Sequence, residues 1–435
     1  MKINWFSPLP PARTDIGHYT ARIVSALSRR AEITLWACQD DWDSSLEQYA
    51  TIRRWSGDAW TDLNRADLTF YHIGNNRLFH QAIWETSRRH PGVVVLHDLR
   101  LQHLFLGIYL DIQGQRDAYE RVMTDYYGHA GRRAARQFFA GELNAEALAE
   151  RWPLTEHALE GACAVLVHTH DALETLAASN RWPVGCLPLP YPSSLTPPLP
   201  RPCDPSAPRR LIVFGYLGAN RQLDKLLQAL AGLPERLRLQ LDIYGQLDQP
   251  DRVRAQIRAL GLGGIVNLHG FVSESELDRA LDHADLAVNL RYPSMGEASG
   301  SQLRIWDHAL PSLVTRTGWY ATLPETTVAF VRPEHEVADI QQHLRQLLID
   351  PEHFASLGCN GRRRLQAQHA PDQYAEALCR FIPVAQNHRR IGLLDPLIAR
   401  LRHESVAFPQ PFRPNDWRRL AGELNTLVGM PAPPP

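Results

Sequence analysis

Lysine is almost missing from this 435-residue chain, because nearly all of its 46 basic residues are arginine. An excess of either charge is missing too. The 46 basic side chains face 47 acidic ones, for a formal net charge of −1, so no overall field draws the chain to nucleic acid. Arginine richness itself has two readings, a forked grip on phosphate and a high genomic GC content, and composition does not separate them. Cysteine is sparse. Cys38, Cys163, Cys186, Cys203, Cys359 and Cys379 form no C-x-x-C pair, which argues against zinc and thioredoxin-like chemistry. Scattered cysteines in a chain of this size suggest reduced thiols and a cytoplasmic location. Long apolar runs are absent: none reaches about 18 residues, so no membrane span is predicted. The opening stretch from Met1 to Ala12 lacks the apolar core of a signal peptide. Membrane contact, if present, is expected to be peripheral, at the inner face of the cytoplasmic membrane. No strand candidate is followed by G-x-G-x-x-G, which counts against an NAD-dependent enzyme.

What is present is an ordinary globular balance, 44% hydrophobic and 21% charged, over a length suited to two or three domains of about 150 residues each. Short β-rich runs alternate with amphipathic stretches. Lys2–Phe6, Ile33–Ala37, Leu68–His72, Val93–His97 and Ala164–His168 read as strands, with a helical pattern from Gly17 to Arg29. Nine prolines between Pro188 and Pro208 exclude a helix or a central strand there and mark a linker. A second series follows: Leu211–Phe214, Leu239–Tyr244, Ile265–His269, Leu286–Leu290 and Ser312–Thr315. Such alternation predicts an α/β chain with parallel sheets in two halves. The expected domains are 1–190, a linker at 191–208, 209–370, and a C-terminal helical extension at 371–435 packing back on the first half. Within that extension His388–Arg402 and Asp416–Val428 read as helical.

The segment Ala284–Pro311 (ADLAVNLRYPSMGEASGSQLRIWDHALP) carries the most chemistry. A buried strand ends near Leu290, a loop carries Arg291, Gly296 and Glu297, and Ser299, Gly300 and Ser301 open a helix. Ligands of open α/β sheets sit beyond the carboxyl ends of strands. A helix start offers free N–H groups suited to a diphosphate. Glu297 beside such an anion site has two readings: an acceptor for sugar hydroxyls, or an acidic residue of a first helical turn. Two further strand ends are polar. Val93–His103 empties into His97 and Asp98, which read either as cleft groups or as a satisfied histidine with a helix-capping aspartate. Residues 165–171 (VLVHTHD) end in His168, Thr169 and His170; the His-x-His invites a metal reading, but no third ligand is evident. Tyr127–Phe139 mixes basic and aromatic residues on one helix. It reads as a lipid-facing surface or as a solvated basic helix with its aromatics in the core.

Taken together, these motifs resemble a GT-B glycosyltransferase of the large retaining family 4 (glycosyl transferases group 1), over most of residues 1–380. A subgroup pattern R-Y-P-x-x-G-E-x-S-x-x-x-x-R fits Arg291, Tyr292, Pro293, Gly296, Glu297, Ser299 and Arg304. The family has a second glutamate eight positions after the first; Ile305 stands there, and Arg304 is the nearest polar residue. Phe214–Arg221 (FGYLGANR) resembles the family's first strand and turn of the donor domain, with Arg221 in the lysine-like place and Tyr216 replacing a second arginine. Asp242–Gly245 and Asn267–Phe271 resemble scaffold motifs, and Ser273 with Glu276 reads as a capping box. Ser7–Tyr19 resembles the first loop, with Asp15 where glycine is common. Tyr71–Arg77 (YHIGNNR) ends a strand in a polar loop at the cleft.

The resemblance implies two Rossmann-like domains facing across a cleft. It implies catalytic roles for His97, Asp98 and Glu297. Donor binding falls to Gly17, Gly215, Arg221, Tyr244, Gly245, Arg291, Gly296, Ser299, Gly300, Ser301 and Arg304, and the acceptor side to Arg13, Gly74, Asn75 and His168. The implied reaction is retaining transfer of a hexose from a GDP- or UDP-linked sugar to a glycan or lipid-linked acceptor in surface polysaccharide or lipopolysaccharide assembly. Mannose is the family-weighted donor sugar, and no metal or other cofactor is expected. Two other readings stay open: a non-catalytic assembly or nucleotide-sensing subunit, and a sugar-nucleotide epimerase.

Overall fold

The computed structural model describes residues 1–112, 114–194 and 207–405. Two parallel sheets organise them. The first contains β1 (Lys2–Phe6), β2 (Glu32–Ala37), β3 (Thr51–Arg54), β4 (Leu68–Ile73), β5 (Gly92–Leu96), β6 (Ala162–Val167) and β7 (Val184–Cys186), in the order β3-β2-β1-β4-β5-β6-β7. The second contains β8 (Arg209–Leu217), β9 (Leu239–Leu247), β10 (Val266–Gly270), β11 (Leu286–Val288), β12 (Ser312–Thr315) and β13 (Ala329–Val331), in the order β10-β9-β8-β11-β12-β13. Both are doubly wound, and each reverses direction beside its first strand: between β1 and β4, and between β8 and β11. Those reversals are where such folds leave a crevice for ligands.

The central strands are mostly apolar because both of their faces are covered. Phe6, Tyr71, Ile73, Val94, Leu96, Val165 and Val167 line one face of the first sheet; Ile3, Trp5, Phe70, Val93, Val95, Ala164 and Leu166 line the other. That split follows the two-residue period of a strand. The strands expected from sequence are present with ends moved by a few residues. Three were not expected. β3, β7 and β13 have four, three and three residues, too short for any periodicity to show.

Residues 188–194 carry the chain from the first domain to the second; 195–206 of the predicted linker lie outside the described residues. The chain crosses back near His369. The two crossings touch: the Tyr191 amide donates to the His369 carbonyl at 2.8 Å, and His369 Nδ1 donates to the Leu189 carbonyl at 2.7 Å. The helix Pro371–Ser405 then packs Tyr374, Ala375, Leu378, Ile382 and Ala385 into the first domain's core beside the helix Asp15–Ser28. The helix predicted at Asp416–Val428 lies outside the described residues. Among the described residues no helix is long and apolar enough to cross a membrane.

Candidate functional site

The loop after β11 reaches across to the first domain and is clasped there. Leu99 N and Arg100 N both donate to the Met295 carbonyl, at 2.9 and 3.0 Å. The Arg100 guanidinium bonds the Ser294 carbonyl, and Thr169 Oγ1 donates to the Gly296 carbonyl at 3.4 Å. Gly296 holds φ +82°, and a Cβ there would stand 2.4 Å from Leu99 Cβ, so glycine is needed for both shape and space. The clasp places Glu297 against Arg291. Arg291 Nη1 donates to Glu297 Oε1 at 2.6 Å, and the Met295 amide donates to Oε2 at 2.6 Å.

Behind this pair lies a second buried cation. Arg221 ends the short turn after β8, is 7% exposed, and donates through Nη2 to the Phe214 carbonyl at 3.1 Å. Its Nη1 is buried without a partner, and so are Nε of Arg291 and the hydroxyl of Tyr320. Burial and then the Arg291 charge pull the Arg221 guanidinium down to about 10. Burial also works against the Arg291 charge, but Glu297, Tyr320 and Asp98 outweigh it and raise its affinity for its proton. Two guanidiniums thus stand in one dry place with unused N–H groups, the donor chemistry that an anion would need. The helix Gly300–Asp307 opens close by. Ser299 caps it, accepting from the Gln302 amide at 3.1 Å. Asp15 of the first domain lies across from this start, 3.8 Å from where a Gly300 Cβ would be, and its charge is felt at Arg221.

On the first-domain wall, Asp98 Oδ2 accepts from the Asn75 amide at 2.8 Å. Burial, followed by the nearby Glu297 carboxylate, pushes Asp98 up to about 7; the Asn75 amide and Arg291 oppose the shift. The side-chain partner of His97 is His72, whose Nδ1 lies 2.8 Å from His97 Nε2. His97, His72, His168 and Tyr19 pack ring to ring with centroids 5.0–5.5 Å apart. Burial holds the three histidines well below the usual imidazole range, His168 at about 4.

The fold thus brings Asp98, Arg221, Arg291, Gly296 and Glu297 together where the two domains meet, close to the helix start at Ser299 and Gly300, with Ser301 next in that helix and His97 next to Asp98 in the chain. Gly74 backs Asp98, since a Cβ there would come 3.2 Å from Asp98 Oδ2. Gly215, with φ +108°, leaves room 3.9 Å from Arg221 Nη2.

Other candidates have different neighbours. Arg304 is turned to the helix Glu274–His283, where it bonds Glu274 at 2.6 Å and Asp278 at 2.6 Å. Glu297 and Arg304 do not share a helical face, because the helix begins three residues after Glu297. Tyr244 stacks on His269 at 4.2 Å, and Gly245 lacks a Cβ because Gly215's carbonyl would be 2.0 Å from it. The Asn75 side chain is engaged by His103 and the Leu104 amide. Gly17 packs on Leu9 and Pro10. Arg13 covers the Phe271 ring at 4.4 Å on the rim. His168 donates through Nδ1 to the Leu187 carbonyl at 2.8 Å, inside the first domain. The capping box of Ser273 and Glu276 is present. Along Tyr127–Phe139 the rings of Tyr127, Phe138 and Phe139 join the core, while Arg132 and Arg136 pair with Glu120. Among the described residues no group of His, Cys, Asp and Glu is placed to hold a metal ion.

Sequence reasoning missed His72, Tyr19 and Tyr320. His72 was hidden inside an apolar strand, where a polar residue buried on both faces was the available signal.

Comparison with known proteins agrees with this geometry. Residues 204–364 match the family model of glycosyl transferases group 1. The fold is similar to that of sucrose-phosphate synthase from Thermosynechococcus elongatus, at 17% identity and a TM-score of 0.62, over 88% of this chain and 98% of that one. It is similar to HepE from Anabaena in complex with UDP and glucose, at 15% identity and a TM-score of 0.58, over 88% and 100%. It is also similar to WaaG, a glycosyltransferase involved in lipopolysaccharide biosynthesis, at 14% identity and a TM-score of 0.54, over 86% and 98%. No curated protein sequence matches the chain. The chain therefore has the GT-B fold, and its residues 204–364 are similar to glycosyl transferases group 1.

Proposed function

We propose that the protein is a retaining glycosyltransferase that moves a hexose from a nucleoside-diphosphate sugar to a glycan or lipid-linked acceptor during surface polysaccharide assembly. The observation that carries this reading is the pair Arg221 and Arg291: two buried guanidiniums, each with an unpartnered nitrogen, beside a helix start. A diphosphate matches them in charge, in size and in acceptor count. HepE, of the same fold, is known in complexes with UDP and with UDP-glucose, which supports a UDP-linked donor here; a GDP-linked mannose stays within the family resemblance.

In this reading Arg221, Arg291 and the helix start neutralise the departing diphosphate, the largest developing negative charge of the reaction. Glu297, fixed by Arg291 and the Met295 amide, accepts from sugar hydroxyls and orients the sugar. His97 and Asp98 close the opposite wall. The test is a panel of sugar nucleotides incubated with purified protein, read by release of nucleoside diphosphate and by transfer to glycan acceptors. Donor turnover is expected. Binding without turnover would instead support an assembly or nucleotide-sensing subunit, a reading favoured by one observation: the family's second glutamate is replaced by Ile305, which is fully buried in an apolar cluster. Epimerisation of the donor without acceptor would identify an epimerase.

A further inference from the structure

We propose that His72 is a positioning residue: it fixes the tautomer of His97 so that His97 offers an N–H, through Nδ1, to the sugar in the crevice. The inference rests on the sugar-nucleotide reading above for its substrate and on the histidine nest for its logic.

Each ring in the nest has two nitrogens, and a neutral ring carries one proton. Carbonyl oxygens only accept. His80 Nδ1 lies 3.0 Å from the His72 carbonyl, and His168 Nδ1 lies 2.8 Å from the Leu187 carbonyl. Both rings are therefore protonated on Nδ1, with bare Nε2 atoms. His72 and His97 share one hydrogen bond, His72 Nδ1 to His97 Nε2 at 2.8 Å, and the proton in it belongs to one ring or the other.

The far side of His72 decides. Its Nε2 is sealed from solvent and has no partner. A proton there would be an orphaned buried donor, which proteins avoid more strictly than an unused acceptor. The arrangement without that donor puts the proton on His72 Nδ1, directed at His97 Nε2. His97 must then carry its own proton on Nδ1. Among the described residues that atom has no hydrogen-bond partner and, unlike His72 Nε2, it is not sealed from solvent. Burial and mutual repulsion keep both rings neutral, so the one-proton count holds at neutral pH.

The consequence is chemical complementarity. The neighbouring groups on the crevice wall, Asp98 and Glu297, offer carboxyl oxygens. A sugar hydroxyl both donates and accepts, and a neutral His97 N–H supplies a donor to that corner.

The experiment uses full-length protein labelled with 15N-histidine. Long-range proton–nitrogen spectra report the tautomer of each ring, and His97→Gln identifies the His97 signals. The wild type is expected to show His97 protonated on Nδ1. His72→Leu removes the donor and should shift His97 toward the Nε2–H form. It should lower kcat/KM for the sugar nucleotide about 10- to 100-fold and leave UDP affinity within about two-fold, because UDP lacks the transferred hexose that His97 would contact. His72→Asn, whose amide can restore a donor near the Nδ1 place, should recover activity to within a few-fold and restore the wild-type tautomer. A wild-type protein that turns over donor while His97 carries its proton on Nε2 overturns the inference alone. Absence of any sugar-nucleotide binding overturns the proposed function and, with it, the role given to His97.

Discussion

Replacing Arg221 by Met separates ligand binding from folding with opposite signs. Arg221 is 7% exposed, and burial followed by the Arg291 charge pulls its guanidinium down to about 10. That drop from the ordinary arginine value corresponds to about 3 kcal/mol working against the buried charge. Methionine removes this penalty and keeps most of the volume, but it gives up the bond to the Phe214 carbonyl, a loss of about 1–2 kcal/mol. The ligand-free variant should therefore gain about 1–2 kcal/mol, or about 2–6 °C in the melting of a domain of this size. Donor binding moves the other way. At UDP 100-fold above its wild-type Kd, the wild type should gain about 2.7 kcal/mol; a variant binding 100-fold more weakly would gain only about 0.4 kcal/mol from the same UDP. Differential scanning fluorimetry with and without UDP, backed by titration calorimetry, reads both halves. A variant that melts several degrees lower without ligand yet keeps the full UDP shift would show Arg221 to be a structural cation and would remove the basis of the anion site.

Glu297→Gln keeps the shape of the carboxylate but loses its charge and one acceptor, and should lower donor turnover about 10²–10³-fold in steady-state assays of folded protein. Arg304→Met breaks the pairs to Glu274 and Asp278; it should reduce stability by about 1–2 kcal/mol in urea unfolding while leaving UDP affinity within about two-fold. Acid should destabilise the first domain. His80 and His168 are held at about 4 against an ordinary 6.5, so the unfolded chain binds protons that the folded one refuses, and stability falls as pH drops below about 6.5. Each contributes a loss of about 2 kcal/mol between pH 7 and pH 5, and Asp98, raised to about 7, offsets about one of them. Urea melts across that range check the slope, which His168→Gln should reduce.

The alternation of strands and helices was readable because the central strands are covered on both faces and therefore mostly apolar. β3, β7 and β13 were not readable, since three or four edge residues carry no period. Of the site, the strand-to-helix segment after β11 and the turn after β8 were legible because glycine, arginine and a capping serine have few other uses in that order. The neighbours of Arg304 were not legible, because the helix starts at Gly300 after a loop, so Glu297 and Arg304 do not lie on one helix and spacing alone does not relate them. The role of His72 was hidden because its partner stands 25 residues away, just past the end of β5; the β4–β5 register, which pairs His72 with Val95, brings the two rings together, and sequence distance conceals it.

The two tied crossings near Leu189, Tyr191 and His369 bear on how the crevice opens. A single flexible crossing would let one domain swing, twist and slide about the other as on a ball joint. Two segments fastened side by side act as the two pins of a door hinge: they leave one axis of swing and resist shear. Motion of that kind would part the clasp between Leu99, Arg100 and Met295 along a fixed arc and return the same atoms to register on each closure. Repeated docking of the loop that carries Arg291 and Glu297 against Leu99 and Arg100 then depends as much on a histidine at the hinge as on the loop itself.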